Sequence, residues 1–218
     1  MEDNIQVKSK KRVADHGEVF TNEREVNAML DMVRQETERI DSRFLEPACG
    51  SGNFLVEILR RKLSIVKNRY KKSQIEYERY AIIAITSVYG VDILEDNVLD
   101  CRQRLQDVFS SEYKMLFKSK CKKECLESAQ YILSKNILWG DALTMLRNDG
   151  EPIVFAEWSP FNGSLIKRRD FTLSELLTKQ QYASEYGEQK QLWLQEAALP
   201  KPIKEYPLIH FLKVKDYE

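Results

Sequence analysis

The chain reads as an α/β protein whose strands form a doubly wound, mostly parallel sheet. Three observations predict this. Apolar runs of strand length alternate with longer stretches of helical periodicity. A glycine-rich turn, Gly50-Ser51-Gly52, falls where the first strand gives way to a helix. Two later strands run into Gly90-Val91-Asp92 and Gly140-Asp141, so acids recur at their carboxyl ends.

The elements follow in order. Residues 1–17 are polar and read as a flexible N-terminal segment, with one domain over 18–218. Val26, Met29, Leu30 and Val33 share one face of a helix that starts after Asn22. Arg43–Ala48 reads as a short buried strand ending in a turn. Asn53–Leu63 then sets Phe54, Leu55, Ile58, Leu59 and Leu63 on a helical stripe. A second helix, Gln74–Thr86, leads into the strand Val88–Ile93. Val98, Cys101, Leu105 and Val108 recur at steps of three and four, which predicts another helix. A charged helical segment from about Glu112 to Leu133 leads into the strand Asn136–Trp139, and Glu151–Trp158 holds a dense apolar run of strand length. Beyond residue 170, Leu173–Leu177 and residues 182–197 read as helical, and Tyr206–Val214 as an edge strand.

Composition narrows the class. Hydrophobic residues at 43% and aromatics at 10% suit a globular protein and exclude a disordered one. Lys and Arg balance Asp and Glu at 34 each, so any DNA contact has to come from a local patch. No apolar run reaches the roughly 20 residues that span a bilayer, and the polar N-terminus lacks a signal peptide's apolar stretch. A cytoplasmic protein with four reduced cysteines is expected. Cys121 and Cys125 fit one helix face better than half of a metal site, because no second Cys or His pair follows. No metal and no membrane contact are expected.

The most informative string is Glu46-Pro47-Ala48-Cys49-Gly50-Ser51-Gly52-Asn53-Phe54. Gly50 and Gly52 let the backbone turn tightly and approach a ligand with no Cβ between. A dinucleotide fingerprint wants Gly or Ala three residues after its second Gly, where this chain has Leu55, and the Gly-Lys-Ser/Thr of a phosphate loop is absent. The acid Glu46 repels phosphate and suits the ammonium group of S-adenosylmethionine. Asp92 is placed to accept hydrogen bonds from ribose hydroxyls, and Asp141 from the adenine amino group. The plain alternative for each Asp is to cap the helix that follows.

With these three motifs in order, the chain resembles the amino-methyltransferases, specific for adenine in DNA, of bacterial restriction–modification systems. The Glu46–Phe54 string matches that family's cofactor loop closely, while Gly90–Ile93 and Trp139–Leu143 match more loosely. His16–Thr21 is similar to the motif that precedes the first strand, and the resemblance assigns Phe20 and Thr21 to the methionine end of the cofactor. It also implies a Rossmann-like S-adenosylmethionine-dependent methyltransferase fold, with Ile93 and Ala142 beside Asp92 and Asp141 in the cofactor site. DNA is the implied partner, reached with the help of a separate recognition subunit.

The match fails where the acceptor should bind. The family carries Asp or Asn, then Pro, Pro and an aromatic after the fourth strand. An adenine amino nitrogen is a poor nucleophile, and the polar side chain localises its lone pair while the aromatic stacks on the flipped base. Here the string is Trp158-Ser159-Pro160-Phe161. Pro160 and Phe161 fit, but Trp158 has an indole that only donates. Glu157 or Asn162 replaces the acceptor only in a shifted register. Asn162–Glu218 is too short for a usual recognition domain and leaves the C-terminal strands of the sheet incomplete. Lys167-Arg168-Arg169 is the candidate phosphate contact. The expectation is a methyltransferase, with an inactive cofactor-binding or regulatory module as the alternative.

Overall fold

The computed structural model describes residues 10–16, 18–19, 21–178 and 201–217. The chain forms α1 (Lys10–His16), α2 (Glu23–Met32), α3 (Arg34–Thr37), β1 (Phe44–Glu46), α4 (Asn53–Tyr70), α5 (Gln74–Thr86) and β2 (Val88–Asp92). It continues through α6 (Glu95–Phe117), α7 (Lys123–Asn136), β3 (Ile137–Trp139), β4 (Val154–Phe161), β5 (Leu165–Thr172), β6 (Lys204–Glu205) and β7 (Ile209–His210). A 3₁₀ segment, Phe211–Asp216, follows.

The strands divide into two sheets. β1, β2 and β3 are parallel in that order, with Glu46 opposite Gly90 and Asp92 opposite Trp139. Each crossover is a pair of helices, α4–α5 and then α6–α7, long enough to return the chain to the same end of the sheet. The carboxyl ends of all three strands therefore face one side. β2 is buried along its whole length, as expected of a central parallel strand covered on both faces. Alternate residues point to opposite faces. Gly90 faces α4, where a Cβ would come within 2.9 Å of the Leu55 side chain, so only glycine lets the helix approach this closely. Tyr89 faces the other way and donates its hydroxyl to the Ala156 carbonyl at 3.0 Å.

That contact brings a correction. The apolar run at Ile153–Trp158 is not a fourth parallel strand. β4 pairs antiparallel with β5 over eight residues, and β6 and β7 pair with β5. Phe155 meets Tyr89 edge-on, with ring centroids 5.4 Å apart. The hairpin thus packs on the face of the parallel sheet at β2. A strand buried by such packing needs the same dense apolar run as a central parallel strand, so composition cannot separate the two.

Other boundaries move for local reasons. Residues 10–16, within the segment read as flexible, form the helix α1. The helix expected over 112–133 breaks at Lys118, whose φ of +50° a helix cannot hold. Cys121 accordingly precedes α7 while Cys125 lies on it, so the two do not share a helix face. α2 starts where expected, with the Asn22 side chain accepting the Glu25 N–H at 2.9 Å. Residues 173–178 are helical, whereas the helix expected over 182–197 lies outside the described residues. The expected edge strand at Tyr206–Val214 is β7 followed by the 3₁₀ turn.

The core runs through α4, α5, α6 and β2. Two charged side chains, Lys62 and Glu78, are sealed inside it. Lys62 on α4 donates to the carbonyls of Arg39, Ile40 and Ser42 and to the Ser87 hydroxyl. Removal from water pulls its pKa down to about 7. This one side chain satisfies the carbonyls of the irregular segment entering β1, and so helps fix where the site begins.

Candidate functional site

A cavity of about 530 Å³ opens at the carboxyl ends of β1, β2 and β3, within the range of about 300–1,000 Å³ usual for small-molecule sites. Each strand contributes an acid at this edge: Glu46 ends β1, Asp92 ends β2, and Asp141 follows β3.

The turn between β1 and α4 forms the floor. The Cys49 N–H donates to the Val91 carbonyl at 2.9 Å, and the Gly52 N–H to the Cys49 carbonyl at 2.8 Å. Gly52 has φ +90°, and a Cβ there would lie 2.6 Å from Cys101 Sγ on α6. Both the left-handed backbone and the close helix demand glycine. Arg104, one helical turn further along α6, donates to the Ser51 carbonyl at 2.7 Å and to Asn53 Oδ1 at 2.8 Å. The turn is thereby held against α6 from beneath.

Asp92 ties the same turn to β2. Its Oδ2 accepts the Gly50 N–H at 2.8 Å, and its Oδ1 accepts the Leu94 N–H at 2.9 Å and the Asn97 amide at 3.2 Å. A carboxylate offers roughly four lone-pair positions. Three are used within the protein, which leaves about one for a ligand hydroxyl. Asp141 accepts the Leu143 N–H at 2.8 Å through Oδ1, an Asx turn over the rim. Glu46 is the least engaged of the three, with one long contact of 3.4 Å from the Ala48 N–H. Burial pushes its pKa above the ordinary carboxylate value, and the Ala48 N–H opposes that only in part.

Cys49 is no nucleophile. The neighbouring Cys101 thiol and burial both raise its pKa, which disfavours the thiolate.

The residues expected to hold a cofactor converge. Thr21, Glu46, Pro47, Ala48, Cys49, Gly50, Asn53, Phe54, Asp92, Ile93, Asp141 and Ala142 all line the cavity. Gly52 supports it from the turn without lining it. Phe20 lies outside the described residues. Sequence reasoning missed Glu18, Val19, Ser51, Leu94, Asn97 and Leu143. Leu94 and Leu143 are neighbours of the two aspartates and were within reach of a bolder reading. Glu18 and Asn97 meet across 79 positions, for which the sequence carries no local signal.

The residues assigned to the acceptor do not join them. Trp158 is buried and donates its indole N–H to Asn136 Oδ1 at 2.9 Å. Ser159, Pro160 and Phe161 continue along β4 to the hairpin turn, and none of the four lines the cavity. The match of Pro160 and Phe161 to an acceptor motif is one of residue types only. The basic triplet is met by acids. Lys167 pairs with Glu205 at 2.5 Å and Arg169 with Glu157 at 2.9 Å. Arg168 is buried, forked onto Asp170 at 2.7 Å and stacked 4.3 Å from the Tyr206 ring centroid. Alternation along β5 sends its neighbours to the opposite face.

The charge of the cavity decides which ligands suit it. Glu46, Asp92 and Asp141 line it together with Glu18, whose charge Arg12 answers from outside the cavity, and no Lys, Arg or His lines it among the described residues. A half-buried set of carboxylates favours a cation and disfavours phosphate. Among the described residues no cluster of three His, Cys, Asp or Glu side chains forms a metal site, and no helix is long and apolar enough to cross a membrane. Compared with protein-family models, with curated proteins and with solved structures, the chain gives no match.

Proposed function

We propose that the chain binds S-adenosylmethionine on a Rossmann-like sheet and serves as the cofactor-binding part of a DNA adenine methyltransferase of the restriction–modification type. One observation carries the reading: a cavity at the carboxyl ends of three parallel strands is lined by four carboxylates and no base among the described residues. A phosphate loop of the Gly-Lys-Ser/Thr type would bring a Lys, and no Lys, Arg or His lines this cavity among the described residues. When bound, the cofactor supplies an electrophilic methyl group on a sulfonium. Glu46 receives the ammonium group, and Asp92 uses its remaining lone pair on a ribose hydroxyl. Asp141 accepts the adenine amino group through the oxygen not given to Leu143. The first N–H groups of α4, which have no helical partner, suit the methionine carboxylate.

The raised pKa of Glu46 makes this reading testable by pH. The carboxylate is the form that binds a cation, so affinity falls as pH drops through a value above the ordinary 4.5. We expect binding, followed calorimetrically, to weaken as the pH is lowered from neutrality, and Glu46→Gln to bind weakly with that dependence removed. A pH-independent affinity in the unmodified protein contradicts the role of Glu46.

A second reading is favoured by the burial of Trp158 away from the cavity: the chain holds the cofactor, and the acceptor residues come from a partner chain or are missing. A labelled-methyl assay on unmethylated DNA separates the two. Transfer by the chain alone supports the enzyme, transfer only with the product of a neighbouring gene supports a two-chain enzyme, and no transfer in either case supports a binding module.

A further inference from the structure

One wall of the cavity is built from Glu18, Val19 and Thr21, and neither Glu18 nor Val19 belongs to a helix or strand. Side chains hold it in place. At one end the Asn53 amide donates to the Thr21 carbonyl at 3.0 Å. At the other, Glu18 is gripped by a residue of α1 that lines nothing. Arg12 donates through Nε to Glu18 Oε2 at 2.5 Å and through Nη2 to Glu18 Oε1 at 2.8 Å. The same guanidinium donates to Asp96 Oδ2 at 2.6 Å and to Asn97 Oδ1 at 3.1 Å, both in the first turn of α6. Asn97 is buried and completes the chain of contacts. Its amide donates to Glu18 Oε1 at 2.6 Å and to Asp92 Oδ1 at 3.2 Å.

One planar fork therefore joins α1, the cavity wall and the base of α6, and through Asn97 it reaches the acid at the end of β2. We propose that Arg12 is a positioning residue for the ligand: it latches the Glu18–Val19–Thr21 wall onto α6, and the latch sets how long a bound molecule stays. The inference rests on the cavity being the S-adenosylmethionine site. A guanidinium is suited to this task because its donors are fixed in one plane and serve two carboxylates and an amide at once, which a flexible ammonium cannot do. The Arg12–Glu18 pair is part-buried, with side chains 23% and 9% exposed, so its loss costs a little global stability and acts mainly through local opening of the wall. Affinity differences between close variants fall mainly on dissociation.

The test uses Arg12→Met in the full chain, with and without S-adenosylmethionine. Without ligand, hydrogen exchange at the Glu25 and Val26 amides, the first hydrogen-bonded amides that follow the wall, is expected to speed up about tenfold, with only a small fall in the urea unfolding midpoint. With ligand, affinity falls about tenfold, nearly all of it in the dissociation rate. Arg12→Lys keeps the charge without the fork and restores only part of the loss. Unchanged exchange in the ligand-free variant overturns the latch. So does an unchanged dissociation rate in a protein that binds, or a loss of affinity matched by an equal loss of the unfolding midpoint. If the unmodified protein does not bind S-adenosylmethionine, the underlying reading falls and the ligand half of the proposal with it. The exchange measurement then still decides whether Arg12 holds the wall.

Discussion

Asp92→Ala is expected to abolish detectable cofactor binding and to destabilise the protein by about 3 kcal/mol. The reason is that Asp92 does two jobs with one carboxylate. It is nearly buried and accepts the Gly50 N–H, the Leu94 N–H and the Asn97 amide. Removing it strands those donors, each at a cost of about 1–3 kcal/mol where water cannot replace the acceptor. The Gly50 turn loses its tie to β2, so the cavity floor moves. Asp92→Asn separates the two roles. Its amide keeps the volume but sets a donor against at least one of the N–H groups, so affinity should fall at least about a hundredfold while stability falls by less than in the alanine variant. Calorimetry and urea unfolding on both variants check this. An Asp92→Ala protein that binds normally contradicts the site as described.

Trp158→Ala is expected to produce the largest loss of stability, about 3–5 kcal/mol, and almost no change in cofactor affinity per folded molecule. The indole fills the space between the hairpin and α7. Its ring lies 6.5 Å from Tyr131 in an edge-on arrangement and 5.8 Å from the Arg168 guanidinium. Its N–H is the partner of Asn136, whose own amide donates to the Val88 carbonyl at 3.1 Å. Trp158 thus links β4 to the entrance of β2 and has no route to the cavity. The unfolding midpoint should drop steeply, with binding unchanged to within about twofold at a temperature where the variant is folded. Lost binding with an unchanged midpoint would return Trp158 to the site.

These two residues mark where the sequence was legible. Around Asp92 the information is local. A glycine turn must lie between a strand and a helix, and an acid after an apolar run falls at the strand end, so most of the residues that line the cavity could be named before their geometry was known. Asn22 as a helix cap and Gln74–Thr86 as a helix are read by the same kind of short-range chemistry. Trp158 fails for the opposite reason. Its role depends on which face of which sheet the strand covers, a choice made by Tyr89, Asn136 and Tyr131, all far off in the chain. The neighbouring Pro160 and Phe161 run along β4 to the hairpin turn and do not line the cavity. The Lys167–Arg169 triplet misled in the same way, since the charges are answered by Glu157, Asp170 and Glu205. Arg12 was hidden in a segment read as flexible because its partners are Glu18 and the distant Asp96.

The central claim is that the cavity is built for a cationic cofactor rather than a phosphate-bearing one. Its most direct test is calorimetric titration of the purified protein with S-adenosylmethionine, ATP and NAD under identical conditions. The carboxylate-lined cavity predicts saturable micromolar binding of S-adenosylmethionine with one site per chain, and no heat of binding from either phosphate ligand. Binding of ATP or NAD as tight as that of S-adenosylmethionine, or no binding of S-adenosylmethionine at all, would contradict it.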